Sequence, residues 1–256
     1  MIVLLSFVFC TLGISAAKST CSSKGLPQKE IDAILEVHNE LRRAVSNGTF
    51  VARGKPMPAA KTPIPDLTWD CALQNSAQKM TDTCVYGHTP DNERTTGENL
   101  FKLMYKQPGF QAPMDGIGKA AAEDWKSEFQ SNDWNHIRYD GIMGIGHATQ
   151  MVWASTTRIG CGATNCDGGP TLIVVCHYME PGNMPSAMIY EPVGGSEDSA
   201  EEGTEGEGND TGRFVENGGE EEETENGRFL EYGGEEEGQD IDLGEWDGES
   251  QNYLSL

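Results

Sequence analysis

The sequence predicts an α+β domain, stabilised by disulfides and followed by an acidic tail that builds no core of its own. Three observations lead there. Helix-spaced apolar patterns come first and the clearest strand comes last within residues 18–193. Six cysteines remain once a removable leader is set aside. From Gly194 onward, Glu and Gly replace the apolar residues.

Residues 1–17 read as a signal peptide. Apolar residues run from Ile2 to Ile14, and Ser15-Ala16-Ala17 offers a small-residue cleavage site before Lys18. The leader lacks the usual basic residue at its start. A membrane anchor would need about 20 apolar residues; this run is shorter and no second one follows. Cleavage removes Cys10 and leaves Cys21, Cys71, Cys84, Cys161, Cys166 and Cys176. An even number in an exported chain points to disulfide bonds. No CxxC pair suggests zinc as their alternative use, and six cysteines leave fifteen pairings open. Asn47-Gly48-Thr49 and Asn209-Asp210-Thr211 are glycosylation acceptors on the same route, at Asn47 and Asn209.

Residues 18–193 form the predicted domain. Ile31, Ile34, Leu35, His38 and Leu41 follow Pro27 at helix spacing. Residues 43–65 read as a long loop, rich in Pro, Gly, Ala and Lys. Trp69, Leu73, Ala77 and Met80 align as a second helix, and Ala121, Trp125 and Phe129 define a third over residues 118–130. Thr171–Tyr178, bounded by Gly169-Pro170 and Pro181-Gly182, reads as a buried strand.

The net charge of −23 is unevenly placed: residues 197–256 hold 22 of the 41 acidic residues and only two bases, Arg213 and Arg228. The preceding part is close to neutral, so no basic footprint for nucleic acid or an anionic membrane is present. Within residues 194–256, Gly212-Arg213-Phe214-Val215-Glu216 recurs fifteen residues later as Gly227-Arg228-Phe229-Leu230-Glu231. Two polar copies cannot stack into a solenoid, and the composition predicts a disordered, solubilising tail. A sharper reading makes each apolar pair a docking motif for a basic partner, or the Glu runs a loose Ca²⁺ collector.

One stretch stands out for chemistry: Gly146-His147-Ala148-Thr149-Gln150-Met151-Val152-Trp153, an ionisable imidazole opening an apolar run. With His38-Asn39-Glu40-Leu41-Arg42, Tyr86-Gly87-His88, Gly97-Glu98-Asn99-Leu100, Trp125-Lys126-Ser127-Glu128 and Val175-Cys176-His177-Tyr178, it resembles the CAP superfamily of cysteine-rich secretory, antigen 5 and pathogenesis-related proteins. The segments occur in the family's order across residues 25–190, and are most like the activation-associated or venom-allergen-like secreted proteins of nematodes. Ala148 stands where an aromatic is usual, His177 where Asn is more frequent, and Glu180 where Pro, Ala, Arg or His is preferred.

The resemblance implies a three-layer α-β-α sandwich with a polar cavity formed by His88, Glu98, Glu128 and His147. It implies a divalent-ion site, Zn²⁺ for example, with His88 and His147 as ligands and the carboxylates orienting them or holding water. The competing arrangement pairs each His with a Glu and needs no metal. Read singly, each residue has a plainer role: Glu98 as a helix cap, Glu128 on a solvated face, the histidines as structural groups. Trp134, Tyr139 and Ile142 resemble an aromatic loop that some members use for sterol, although packing is the commoner role of such residues. The resemblance further suggests bridges Cys71–Cys166, Cys161–Cys176 and Cys21–Cys84. It implies a secreted, non-enzymatic protein that binds sterol, fatty acid or extracellular proteins. The rival class is a metal-dependent protease using His88, His147 and a Glu. HExxH and GxSxG are missing from the sequence, and the six cysteines are expected in bridges, which leaves no thiol nucleophile.

Overall fold

The computed structural model describes residues 21, 25–107, 109–132, 134, 137–139, 141, 144–194 and 230–232. Residues 1–17, read as a leader, Ile142, the Asn209 acceptor and all of the tail except Gly194 and 230–232 lie outside the described residues. The described core has the expected α+β plan: a five-stranded sheet between one helix and a group of three.

Helix α1, Gln28–Ser46, buries Ile31, Ile34, Val37, His38, Leu41 and Val45 on one stripe. It runs four residues into the segment read as a loop. A small hairpin of β1 (Val51–Ala52) and β2 (Lys55–Pro56) follows, turning at Arg53 and Gly54, both in the left-handed region. The glycosylation acceptor Asn47 is exposed at the end of α1. Arg42, fully buried on the same helix, donates to the carbonyls of Pro65, Met151, Trp153 and Thr156 at 2.6–3.1 Å. Four acceptors satisfy the fork of one guanidinium, so this charge acts as a cross-brace.

Strand β3, Thr68–Trp69, ends just before helix α2, Cys71–Thr81. Trp69 therefore precedes the second helix; Asp70 caps it by accepting from the Ala72 and Leu73 amides. Residues 97–105 form strand β4, helix α3 spans Ile117–Ser131, and the short helix α4 spans Gly146–Met151. Helix α3 begins at Gly116 without a side-chain cap of its own. The Glu30 carboxylate on α1 supplies it from outside, accepting from the Gly116 and Gly118 amides at 2.9 and 2.8 Å. Strands β5, Arg158–Cys166, and β6, Thr171–Met179, close the domain.

The sheet order is β3-β5-β6-β4-β7, where β7 is the segment Leu230–Tyr232; β4, β6 and β5 pair antiparallel, and the two outer strands pair parallel. Strand β6 explains the layering. Leu172, Val174, Cys176 and Tyr178 join the main core under α1, α3 and α4. Ile173 and Val175 join a second cluster with Ala77 of α2. A strand apolar on both faces is one that helices cover from both sides. Helix α2 lies close because Gly160 and Gly162 face it: a Cβ on Gly160 would stand 2.2 Å from the Gln74 nitrogen.

The disulfides are Cys21–Cys71, Cys84–Cys166 and Cys161–Cys176. The last agrees with the pairing that the resemblance suggests; the other two correct it. Helix α2 is the reason. Its first turn lies over Gly160 and its last over Ala163 and Thr164. Cys71 opens the helix and Cys84 follows its end, about 15 Å further on at 1.5 Å per residue. Only Cys84 reaches Cys166, because a disulfide tolerates no more than about 7 Å between Cα atoms. Cys71 at the other end takes Cys21.

Candidate functional site

The structure resolves the four candidate polar residues into two hydrogen-bonded pairs. Glu98, the second residue of β4, has its side chain almost fully buried. Its Oε1 accepts from His88 Nδ1 at 2.7 Å and from the Thr89 amide at 3.0 Å. Its Oε2 accepts from the Thr89 hydroxyl at 2.8 Å and from His177 Nε2 at 3.2 Å. Burial by itself would raise this carboxyl's pKa, but the bonds from His177, His88 and Thr89 outweigh it and hold the group well below the usual carboxylate range. Glu98 therefore caps no helix; it is an ionised, four-bonded strand residue.

Glu128 projects from the fourth turn of α3 and is also buried, not solvated. Its Oε1 accepts from His147 Nδ1 at 2.6 Å and its Oε2 from the Ala148 amide at 3.0 Å. His147 opens α4 and lies nearly parallel to the Trp125 ring, 23° between planes and 6.0 Å between centroids. Trp125 is fixed in turn by donating its Nε1–H to the Leu100 carbonyl at 3.0 Å. Ala148 is completely buried.

Both pairs lie near the start of β4. Successive strand residues point to opposite faces. Glu98 shares the α2 face with Leu100. Asn99 points to the other face, where its amide donates to the His147 carbonyl at 3.2 Å and to the Tyr178 hydroxyl at 3.0 Å. His38 completes this second network, with Nδ1 at 2.7 Å from the Ile34 carbonyl and Nε2 at 2.9 Å from the Tyr178 hydroxyl. The Ile34 carbonyl can only accept, which fixes the hydrogen on Nδ1 and leaves Nε2 to receive the phenol proton. Burial pushes the His38 pKa down to about 4 and the Tyr178 pKa well above its ordinary value.

His177, noted in the sequence only as standing where Asn is more frequent, and Ser76 join the site as well. His177 lies directly across from Glu98 in the β4–β6 register and on the face shared with Ile173 and Val175. Its Nδ1 stands 2.7 Å from the hydroxyl of Ser76, an exposed residue of α2. The readable signal was the period-two pattern Ile173, Val175, His177; its partner is set by a strand 79 residues away.

With each Nδ1 engaged by a carboxylate, the Nε2 atoms of His88 and His147 are the donors that a metal would find. His88 is half exposed and His147 largely buried. No group of three or more His, Cys, Asp or Glu side chains with metal-holding geometry occurs among the described residues. Trp134 and Tyr139 pack on the main core, Trp134 edge-on to Phe129 at 5.2 Å and Tyr139 edge-on to Trp153 at 6.3 Å. Among the described residues, no helix is long and apolar enough to cross a membrane.

A cross-linked α-β-α sandwich with two His–carboxylate pairs at one strand end defines a class of cysteine-rich proteins. The model of the cysteine-rich secretory protein family, CAP, matches residues 35–178, and the chain belongs to that family. Venom allergen 5 of Vespa magnifica is 33% identical over 190 residues, which span 71% of this chain and 82% of that protein. The solved structure of BmVAL-1 shares 34% identity at a TM-score of 0.62, covering 68% of this chain and 87% of its own. The crystal structure of NaASP2 with Zn²⁺ shares 28% at 0.60, covering 68% and 90%.

Proposed function

We propose that this chain is an exported, non-catalytic binding protein, taking an apolar ligand such as a sterol or fatty acid, or an extracellular protein. The supporting observation is that both carboxylates are already spent. Glu98 accepts four hydrogen bonds and Glu128 two, and Glu98 is further weakened as a base by its depressed pKa. A general base must accept a proton from water near neutral pH, and Glu98 is tuned in the opposite direction. Three disulfides fit an oxidising, extracellular setting. Apolar ligand binding would draw on roughly 25 cal/mol per Å² of buried apolar area and would not need the His–Glu pairs.

A divalent ion is a secondary ligand of the same site. The related NaASP2 structure with Zn²⁺ and the oriented Nε2 atoms of His88 and His147 support it. Two imidazoles with water completing the shell make a weak centre compared with the three or four protein ligands usual for zinc.

Native mass spectrometry of the secreted protein tests the reading, together with a sterol-binding and a peptidase assay. Retained lipid, unchanged sterol affinity in His88→Ala plus His147→Ala, and no cleavage with or without Zn²⁺ are the expected results. Reproducible turnover that Zn²⁺ stimulates and the double variant loses would overturn it in favour of a metal-dependent hydrolase.

A further inference from the structure

We infer that Ser76, with His177 and Glu98 behind it, is an acyl-acceptor site whose hydroxyl takes one acyl group from an activated ester and keeps it. This goes beyond the proposed function and is compatible with it, because a single transfer to the protein is not turnover. The first observation is a chain of hydrogen bonds from solvent to the sheet. Ser76 is exposed on α2, and its Oγ stands 2.7 Å from His177 Nδ1. His177 Nε2 lies 3.2 Å from Glu98 Oε2. The side chains of His177 and Glu98 are 9% and 1% exposed, so the base and its orienting carboxylate are shielded while the nucleophile is open.

Three elements build this arrangement. On β6, His177 has Glu98 of β4 on one side and Gly160 of β5 on the other. A Cβ on Gly160 would stand 2.2 Å from the Gln74 nitrogen and 2.7 Å from the Leu73 carbonyl carbon. The bare position lets α2 lie against the sheet at Leu73, which brings Ser76, three residues further along the helix, within reach of His177. Glu98 accepts on both oxygens, from His88 and Thr89 as well, so Nε2 of His177 carries a hydrogen toward it. In the neutral ring, Nδ1 is then a lone pair facing Ser76. The hydroxyl has a second acceptor in reach, the Leu73 carbonyl at 2.9 Å, and one rotation moves its single hydrogen between the two.

A serine hydroxyl bonded to an imidazole that a carboxylate orients is an activated nucleophile. In the transfer, the Oγ–C bond forms as the bond from the acyl carbon to the leaving oxygen or sulfur breaks. The Oγ proton passes to His177 Nδ1 and from there to the leaving group, so atoms and charge balance without a co-reactant. Turnover needs more, because preorganised donors must hold the tetrahedral oxyanion at each step. Ser76 is the sixth residue of α2, beyond the four amides at a helix start that lack internal partners. Its own amide and that of Ala77 are therefore tied into the helix. An oxyanion without donors from α2 restricts the acyl source to esters with a good leaving group, aryl esters and thioesters. It also leaves the resulting serine ester to hydrolyse slowly.

Incubation of the full-length protein with p-nitrophenyl acetate, read by intact mass and peptide mapping, tests this. Ser76 should be acetylated at least about a hundredfold faster than Ser155 and Ser186, which are also exposed, with a burst of one phenol per chain. Ser76→Ala should remove the burst. His177→Gln should slow acetylation of Ser76 by about a hundredfold, while an unchanged rate at the exposed Lys55 and recovery of all three disulfides report that the variant is folded. The wild-type ratio of Ser76 to Ser155 decides the matter without any variant if that substitution misfolds. Acetylation of Ser76 no faster than that of Ser155 and Ser186, or equally fast in folded His177→Gln, would overturn the inference. Phenol release continuing beyond one per chain, and lost in Ser76→Ala, would overturn the limit to a single transfer.

Discussion

Replacing Glu98 with Gln tests the site most directly, because it removes the charge at nearly constant volume. The wild-type carboxylate receives hydrogen bonds from His88, His177 and twice from Thr89. One amide oxygen can accept at only half of these positions, and the NH₂ group opposes the donors at the other half. His177 can shift its hydrogen to Nδ1 and the Thr89 hydroxyl can rotate, so the variant refolds around an amide nitrogen at the Oε2 position. What is lost is the charge assistance. Hydrogen bonds to an ionised group are worth about 1.5 to 3 kcal/mol each and neutral ones about 1, so Glu98→Gln should cost about 2 to 4 kcal/mol at pH 7. The pH dependence follows from the sign of the shift. A carboxyl whose folded pKa lies below its ordinary 4.5 stabilises the fold above that pH and loses this contribution as pH falls. The slope is about 1.4 kcal/mol per pH unit, so roughly 2 kcal/mol of the gap between wild type and variant closes by pH 3. Urea denaturation at pH 7 and pH 3, with disulfides intact, measures both quantities. An unchanged gap at the two pH values would show that the Glu98 charge is not held by these donors.

Two further outcomes check the scaffold. Peptide mapping without reduction should recover Cys21–Cys71, Cys84–Cys166 and Cys161–Cys176, and a Cys71–Cys166 peptide would contradict the placement of α2; removing the Cys84–Cys166 bridge should cost about 2 to 4 kcal/mol. Arg42→Met leaves the carbonyls of Pro65, Met151, Trp153 and Thr156 without their shared donor, which should cost at least about 3 kcal/mol by denaturation; a loss below about 1 kcal/mol would mean that water already serves those groups.

Periodicity revealed the elements whose information is local. The stripe of α1 and the Ala121, Trp125, Phe129 face of α3 can be read directly because each buries one side against the same core. The four-residue spacing of Trp69 to Leu73 suits a helix face, yet Asp70 carries the capping signal and starts the helix at Cys71. Local sequence does not say which Glu meets which His: His147 finds Glu128 through α3 and α4, and His88 finds Glu98 through β4. The disulfide partners and His177 were hidden for the same reason. Cys84 finds Cys166 because of the length and direction of α2 over β5, and His177 faces Glu98 because of a register fixed between distant strands. Such facts depend on how elements are assembled, which no window of sequence contains.

The two faces of β4 also predict an acid response in two stages. His38 is buried with its hydrogen on Nδ1, and Nε2 accepts from Tyr178. Protonation would give it a second donor aimed at a hydroxyl that already receives the Asn99 amide. Its folded pKa is accordingly pushed down, by burial above all, from 6.5 to about 4. For a base held neutral in the fold, the unfolded chain binds more protons between these two values, so stability falls as pH drops from 6.5 toward 4 and then levels off. The interval corresponds to about 3 kcal/mol. Glu98 acts in the opposite window, contributing nothing to the slope above pH 5 and everything that it has to lose below 4.5. Denaturation of His38→Gln across pH 4 to 7 should therefore be flatter than wild type by that amount, while its slope below pH 4 stays the same. Glu98→Gln should show the reverse. If His38→Gln retained the full slope between pH 4 and 7, His38 would have to be charged in the fold, and the hydrogen-bond chain from Ile34 through Tyr178 to Asn99 would have to run in another sense.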